Sequence, residues 1–167
     1  MHNELTKIDL QKMREELNYR RTTLRPQLLE EVKVARSFGD LSENFEYKAA
    51  KKEKNRNDSR CRYLENMIRT AVVISDRSKA GTVGLYDKVT FYVEEDDEEV
   101  VCQIVTTMRQ DALKGRVSKE SPVGKAVLGR KVGDRATVQV NDSYSYDIVI
   151  RVIEPGEDTG EAPLVGF

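Results

Sequence analysis

Tyr47, Ala50, Lys54, Asn57, Cys61, Leu64, Ile68 and Ala71 are separated alternately by three and four residues. That spacing draws an a/d seam along one side of a helix and requires a partner helix to cover it. A partner precedes it. Leu10, Met13, Leu17, Leu24, Leu28, Val32 and Ala35 also recur at helical intervals, and no glycine occurs before Gly39. The turn-forming segment Ser37-Phe38-Gly39-Asp40 separates the two series. Two long helices across a short break fold back into an antiparallel pair. A turn centred near Asp40 sets Ile68 opposite Met13, Leu64 opposite Leu17 and Ala71 opposite Leu10. Lys54 and Asn57 bring polarity into the seam nearer the turn. Pro26 predicts a kink or restart of the first helix, because proline lacks an amide proton and crowds the preceding turn. About 28 residues per helix gives an arm of about 40 Å. A polar turn at the end of such an arm suits delivery to a distant site better than stability.

Beyond Ser75 the period shifts to that of strands. Residues 88–93 and 100–105 are β-branched and aromatic runs, and the acidic stretch 94–99 between them predicts a hairpin with a solvated loop. Ser121-Pro122 opens a short helix with an N-cap and a proline in the first turn, and Gly129 suits its end. Residues 136–140 and 146–153 predict two further strands. The class is α+β, an antiparallel coiled-coil hairpin followed by a small antiparallel-sheet domain with a short helix. The hairpin spans 1–75 with its tip near 38–44, the second domain 76–157, and a Gly-, Pro- and acid-rich mobile tail 158–167.

Charge and composition narrow the function. Hydrophobic residues make up 38% and charged residues 34% of the 167, a balance suited to a large surface for the volume. The net charge of −1 hides an asymmetry. Positive charge exceeds negative through residue 75, and the reverse holds beyond it, as for two domains that face different partners. No apolar run reaches about 18 residues, and the first ten residues lack a secretory leader's apolar segment. Cys61 and Cys102 form no CxxC pair, and His2 is the one histidine. These features predict a reduced, cytoplasmic protein without a zinc site or membrane partner, and a monomer.

At the tip, Asp40 and Glu43 admit two readings. In one, they form a capping box at the start of the second helix. In the other, they offer two carboxylates to solvent. Oxygen ligands suit Mg²⁺, but two alone bind it weakly. They gain purpose if a macromolecular partner supplies more ligands and a first ion, as in two-metal phosphodiester cleavage. Arg36, Lys48, Lys51, Lys52, Lys54, Arg56, Arg60 and Arg62 flank the tip, either as a solvated face or as attraction for phosphates or an acidic channel wall.

The block Ala35-Arg36-Ser37-Phe38-Gly39-Asp40-Leu41-Ser42-Glu43-Asn44, with Glu46-Tyr47 and Ala49-Ala50-Lys51 after it, resembles the tip signature of the Gre transcript cleavage factors. Residues 121–129 and Lys131-Val132-Gly133-Asp134 resemble the helix and turn of that family's FKBP-like C-terminal domain. The resemblance extends to about residue 153. It implies a GreA-like accessory factor, not itself an enzyme, for the bacterial RNA polymerase elongation complex. Its coiled coil would enter the secondary channel, and Asp40 and Glu43 would help hold a second Mg²⁺ shared with the polymerase, weakly bound or absent in the free protein. The nascent RNA 3′ end would be the cleaved partner. Arg36 and Lys51 match basic positions that contact RNA or the channel. Ser42, Asn44 and Tyr47 match positions that shape the loop or contact polymerase.

The chain departs from the pattern in places. Phe45 stands where alanine is usual, adding an aromatic surface beside the tip. Lys52-Glu53-Lys54 makes its face more basic, and residues 106–111 keep only Asp111 of the usual acidic segment. Two alternatives stay open: an inhibitory Gre homologue that occupies the channel without promoting cleavage, and a coiled-coil interaction module whose acids only cap a helix.

Overall fold

A computed structural model describes residues 3–39, 44–77 and 79–166. The chain divides into two compact units, one of residues 10–71 and one formed by the first nine residues together with 72–166.

The helical unit follows the seam. In chain order, strand β1 (Glu4–Leu5) precedes α1 (Lys7–Tyr19), a π-helical segment (Arg20–Leu24), α2 (Arg25–Arg36) and α3 (Phe45–Thr70). Leu10, Met13, Leu17, Leu28, Ala35, Cys61 and Leu64 are buried, as their spacing predicts, and Met67 joins them from outside the seam. The restart predicted at Pro26 is present. Pro26 sits in the first turn of α2, directly after the π-helical segment. There the Arg25 amide reaches back five residues to the Arg20 carbonyl, one residue more than an α-helix allows.

The antiparallel pairing is read from its cross-links. Glu16 meets Arg60, Arg20 meets Asn57, Arg25 meets Asp58 and Arg36 meets Tyr47. Polar seam residues are resolved by pairing. Asn57 is 3% exposed, accepts from Arg20 Nη1 at 3.0 Å and donates to the Arg20 carbonyl at 3.3 Å. Lys54 turns to Asp58 at 3.1 Å. Burial alone would raise the Glu16 carboxyl, but hydrogen bonds from Arg60 and Arg20 outweigh it and hold Glu16 below its ordinary value.

In the second unit, β1 pairs in parallel with β2 (Val72–Val73). A five-stranded sheet follows: β3 (Lys88–Val93), β4 (Glu98–Val105), β5 (Arg116–Ser118), β6 (Arg135–Gln139) and β7 (Ser145–Glu154), in the order β5-β4-β3-β7-β6. Val89, Phe91 and Val93 of β3 point inward with Ile104, Val138, Ile148 and Ile150, as period-two alternation requires. The hairpin of 88–105 forms, with its turn narrowed to the residues before Glu98. Helix α4 (Pro122–Val127) closes the core; Ser121 Oγ accepts from the Gly124 amide at 3.0 Å. Gly129, at φ 75°, takes the left-handed position after it.

The structure modifies the sequence expectation in two respects. The sheet is mixed, because β5 runs parallel to β4. This short strand follows two 3₁₀ turns and has no alternating pattern of its own to announce it. The segment from 158 onward is also docked where a mobile tail was expected. Asp158 and Ala162 are buried. The Arg109 guanidinium bonds Asp158 and donates to the Ala162 carbonyl, and the Val165 amide donates to the Met108 carbonyl.

Candidate functional site at the end of the helical hairpin

The turn of the hairpin is built from backbone chemistry. Helix α2 ends at Arg36, and the amides of Ser37 and Phe38 bond back to the carbonyls of Val34 and Ala35. Gly39 follows at φ 123°, a conformation that disfavours any side chain. Asp40, Leu41, Ser42 and Glu43 lie outside the described residues, so the two carboxylates expected to hold metal and the hydroxyl of Ser42 have no described geometry.

Asn44 begins the return. Its side-chain oxygen accepts from the Tyr47 amide at 3.0 Å, which makes Asn44 the N-cap of α3. Its side-chain nitrogen donates to the Ala35 carbonyl at 2.6 Å, tying the start of α3 to the end of α2. This finding corrects the capping-box reading. A box on Asp40 and Glu43 requires helix from residue 41, whereas α3 starts at Phe45 and its cap is Asn44.

Of the seven expected site residues, Arg36, Asn44, Tyr47 and Lys51 come together. Arg36 Nη2 donates to the Tyr47 hydroxyl at 3.3 Å, and its guanidinium carbon lies 5.4 Å from the Tyr47 ring centre. Lys51 Nζ lies 5.9 Å from the same ring. The Arg36 hydrogen bond, with the nearby charge of Lys51, holds the Tyr47 phenol below its ordinary value. Arg36 and Lys51 thus place two positive charges against one ring. Phe45, 79% exposed, supplies the aromatic surface expected beside the tip. The sequence did not anticipate that Lys48 Nζ lies over its ring at 5.7 Å, nor that Phe38 is 63% exposed.

Among the described residues no group of three or more His, Cys, Asp or Glu side chains could hold a metal ion. The expected Mg²⁺ donors, Asp40 and Glu43, lie outside the described residues. Two hard carboxylate donors match its oxygen preference but fall short of an octahedral shell, so they fit a shared site and not a self-sufficient one. Among the described residues no helix is long and apolar enough to cross a membrane.

Comparison with known proteins adds independent information. The family model for the transcription elongation factor N-terminal region matches residues 3–73, and the model for the GreA/GreB C-terminal region matches 77–155. The transcription elongation factor GreA of Geobacillus kaustophilus (strain HTA426) is 46% identical over 136 residues, which cover 81% of this chain and 86% of that protein. GreA of Bacillus subtilis (strain 168) is 44% identical over 129 residues, 77% of this chain and 82% of that one. A crystal structure of GreA factor homolog 1 from Thermus thermophilus aligns over 91% of this chain and 98% of its own at 24% identity, with a TM-score of 0.41. With both halves matched in order and relatives aligned over most of their length, the chain belongs to the GreA/GreB family of transcription elongation factors.

Proposed function

We propose that this elongation factor stimulates the cleavage of backtracked RNA by bacterial RNA polymerase, as an accessory and not as a nuclease in its own right. The hairpin enters the secondary channel and presents Asp40 and Glu43 to the polymerase active site. The observation that carries this reading is the Asn44 cap. Asn44 serves the Tyr47 amide without help from either acid. Arg36 and Lys51, gathered on Tyr47, attract RNA phosphate or an acidic wall, while Asn44 holds the two helix ends in register and Ser42 shapes the loop.

Asp40 and Glu43 would hold the second Mg²⁺ together with ligands from the polymerase. When bound, that ion lowers the pKa of the attacking water and offsets charge on the phosphate. The chain's own part is to orient: the Asn44 side chain ties the start of α3 to the end of α2, the two helix ends between which the acids lie in sequence. Positioning of this kind supplies rate without covalent chemistry.

The test uses stalled, backtracked elongation complexes carrying 3′-labelled RNA. The wild-type chain should release short labelled fragments in Mg²⁺, and Asp40→Asn or Glu43→Gln should abolish release while retaining the helical spectrum. Blocked elongation with no fragments from the wild-type chain would overturn the proposal.

A further inference from the structure

We propose that Phe45 is a stacking platform for the unpaired base at the 3′ end of a single-stranded RNA, and so sets which 3′ nucleotides the factor helps to remove. The inference rests on the function proposed above. Phe45 opens α3 and is 79% exposed, and Phe38, after the end of α2, is 63% exposed. The two residues issue from one junction. The Ala35 carbonyl accepts the Phe38 amide at 3.2 Å and the Asn44 side chain at 2.6 Å. Leaving a phenylalanine ring in water forfeits the free energy of its burial, so these rings gain from an occupant.

The surrounding charge identifies that occupant. Lys48 Nζ lies over the Phe45 ring at 5.7 Å, and Arg36 and Lys51 flank Tyr47 at 5.4 and 5.9 Å. A binding partner must be flat and apolar on its face and negative along its edge. A nucleotide meets both demands, with its base on the ring and its phosphates near the cations, as in other single-strand binders that combine aromatic platforms with basic grooves. An apolar peptide would cover the ring but bring no negative charge to Arg36 and Lys51. Phe45 in this role positions substrate and takes no part in bond breaking.

The experiment compares backtracked complexes whose extruded 3′ nucleotide is a purine, a pyrimidine or abasic, each corrected for cleavage without the factor. The wild-type chain should cleave the purine end about tenfold faster than the abasic end, the scale of one lost stack. Phe45→Ala and Phe45→Leu should both lose this discrimination, since leucine keeps apolar bulk without an aromatic face. Equal wild-type rates on all three ends would overturn the stacking role and leave the proposed function intact. Discrimination retained in Phe45→Leu would overturn it too, as would equal slowing of every substrate in Phe45→Ala, which marks a contact with the polymerase wall. Absence of any stimulated cleavage by the wild-type chain would remove the function and this inference with it.

Discussion

Arg109 and Asp158 form a two-point ion pair in the core of the sheet unit, Nη1 to Oδ2 at 3.0 Å and Nη2 to Oδ1 at 2.9 Å. Both side chains are shielded from water. Asp9, in the first turn of α1, accepts from Arg109 Nη1 at 3.2 Å, from the Thr106 hydroxyl at 2.8 Å and from the Thr6 amide at 2.9 Å. The Ala162 carbonyl completes the shell. One guanidinium thus links the first residues, the loop after β4 and the C-terminal segment. Removing one partner strands a buried charge. Asp158→Ala should therefore lower the unfolding free energy of this unit by about 3–5 kcal/mol, read by urea denaturation. Truncation after Glu157 should cost a similar amount; an unchanged midpoint would show the segment to be dispensable.

Glu16 makes the helical unit sensitive to acid. Its carboxyl lies below its ordinary value in the folded arm because Arg60 and Arg20 outweigh the effect of burial. The unfolded chain therefore takes up the proton first. The stabilisation is present above the ordinary glutamate value of 4.5 and is lost as pH falls below it. Melting temperature followed by helical circular dichroism should fall between pH 5 and about 3, and Glu16→Gln should flatten that dependence. At pH 7, Arg60→Ala should cost about 1–3 kcal/mol, the scale of a broken charged hydrogen bond.

Asn44 does two jobs with one amide group. Asn44→Ala should destabilise the start of α3 by about 1 kcal/mol, seen as faster hydrogen exchange at the Tyr47 amide. Asn44→Asp retains the acceptor but not the donor to Ala35. It should keep Tyr47 protected while the end of α2 exchanges faster. Equal protection in all three proteins would refute the cap.

Gly124 lies inside α4, where glycine normally weakens a helix. A Cβ there would collide with the Ser118 carbonyl oxygen. Gly124→Ala should cost about 1–3 kcal/mol through overpacking, in spite of its better helix propensity. Thermal unfolding measures the sign, and a stabilised variant would contradict the packing.

Local repetition made most of the framework readable. The three-four alternation from Tyr47 to Ala71 marks a covered helix face, and every member is buried or half-buried. Pro26 announces a break because a helix interior needs the amide proton that proline lacks; it stands in the first turn of α2, directly after the π-helical segment. Ser121-Pro122 specifies its own cap. The edge strand β5 has three residues and no alternation to detect.

At the tip, Asp40, Ser42 and Asn44 all carry side chains able to cap a helix, so composition alone could not choose among them. The choice falls to Asn44 because an amide both accepts from Tyr47 and donates across to Ala35, a contact that exists only once the two helices have closed. Arg109 shows the same limit more sharply. It meets Asp158 and Asp9 across 49 and 100 residues of chain, and no neighbouring pattern marks it as interior. The sequence by itself determined the helix pair, the main hairpin and the position of the acidic turn, since each depends on interactions within a few residues. Only the tertiary structure decided which polar groups are buried together, because desolvation is repaid by partners that folding alone brings within reach.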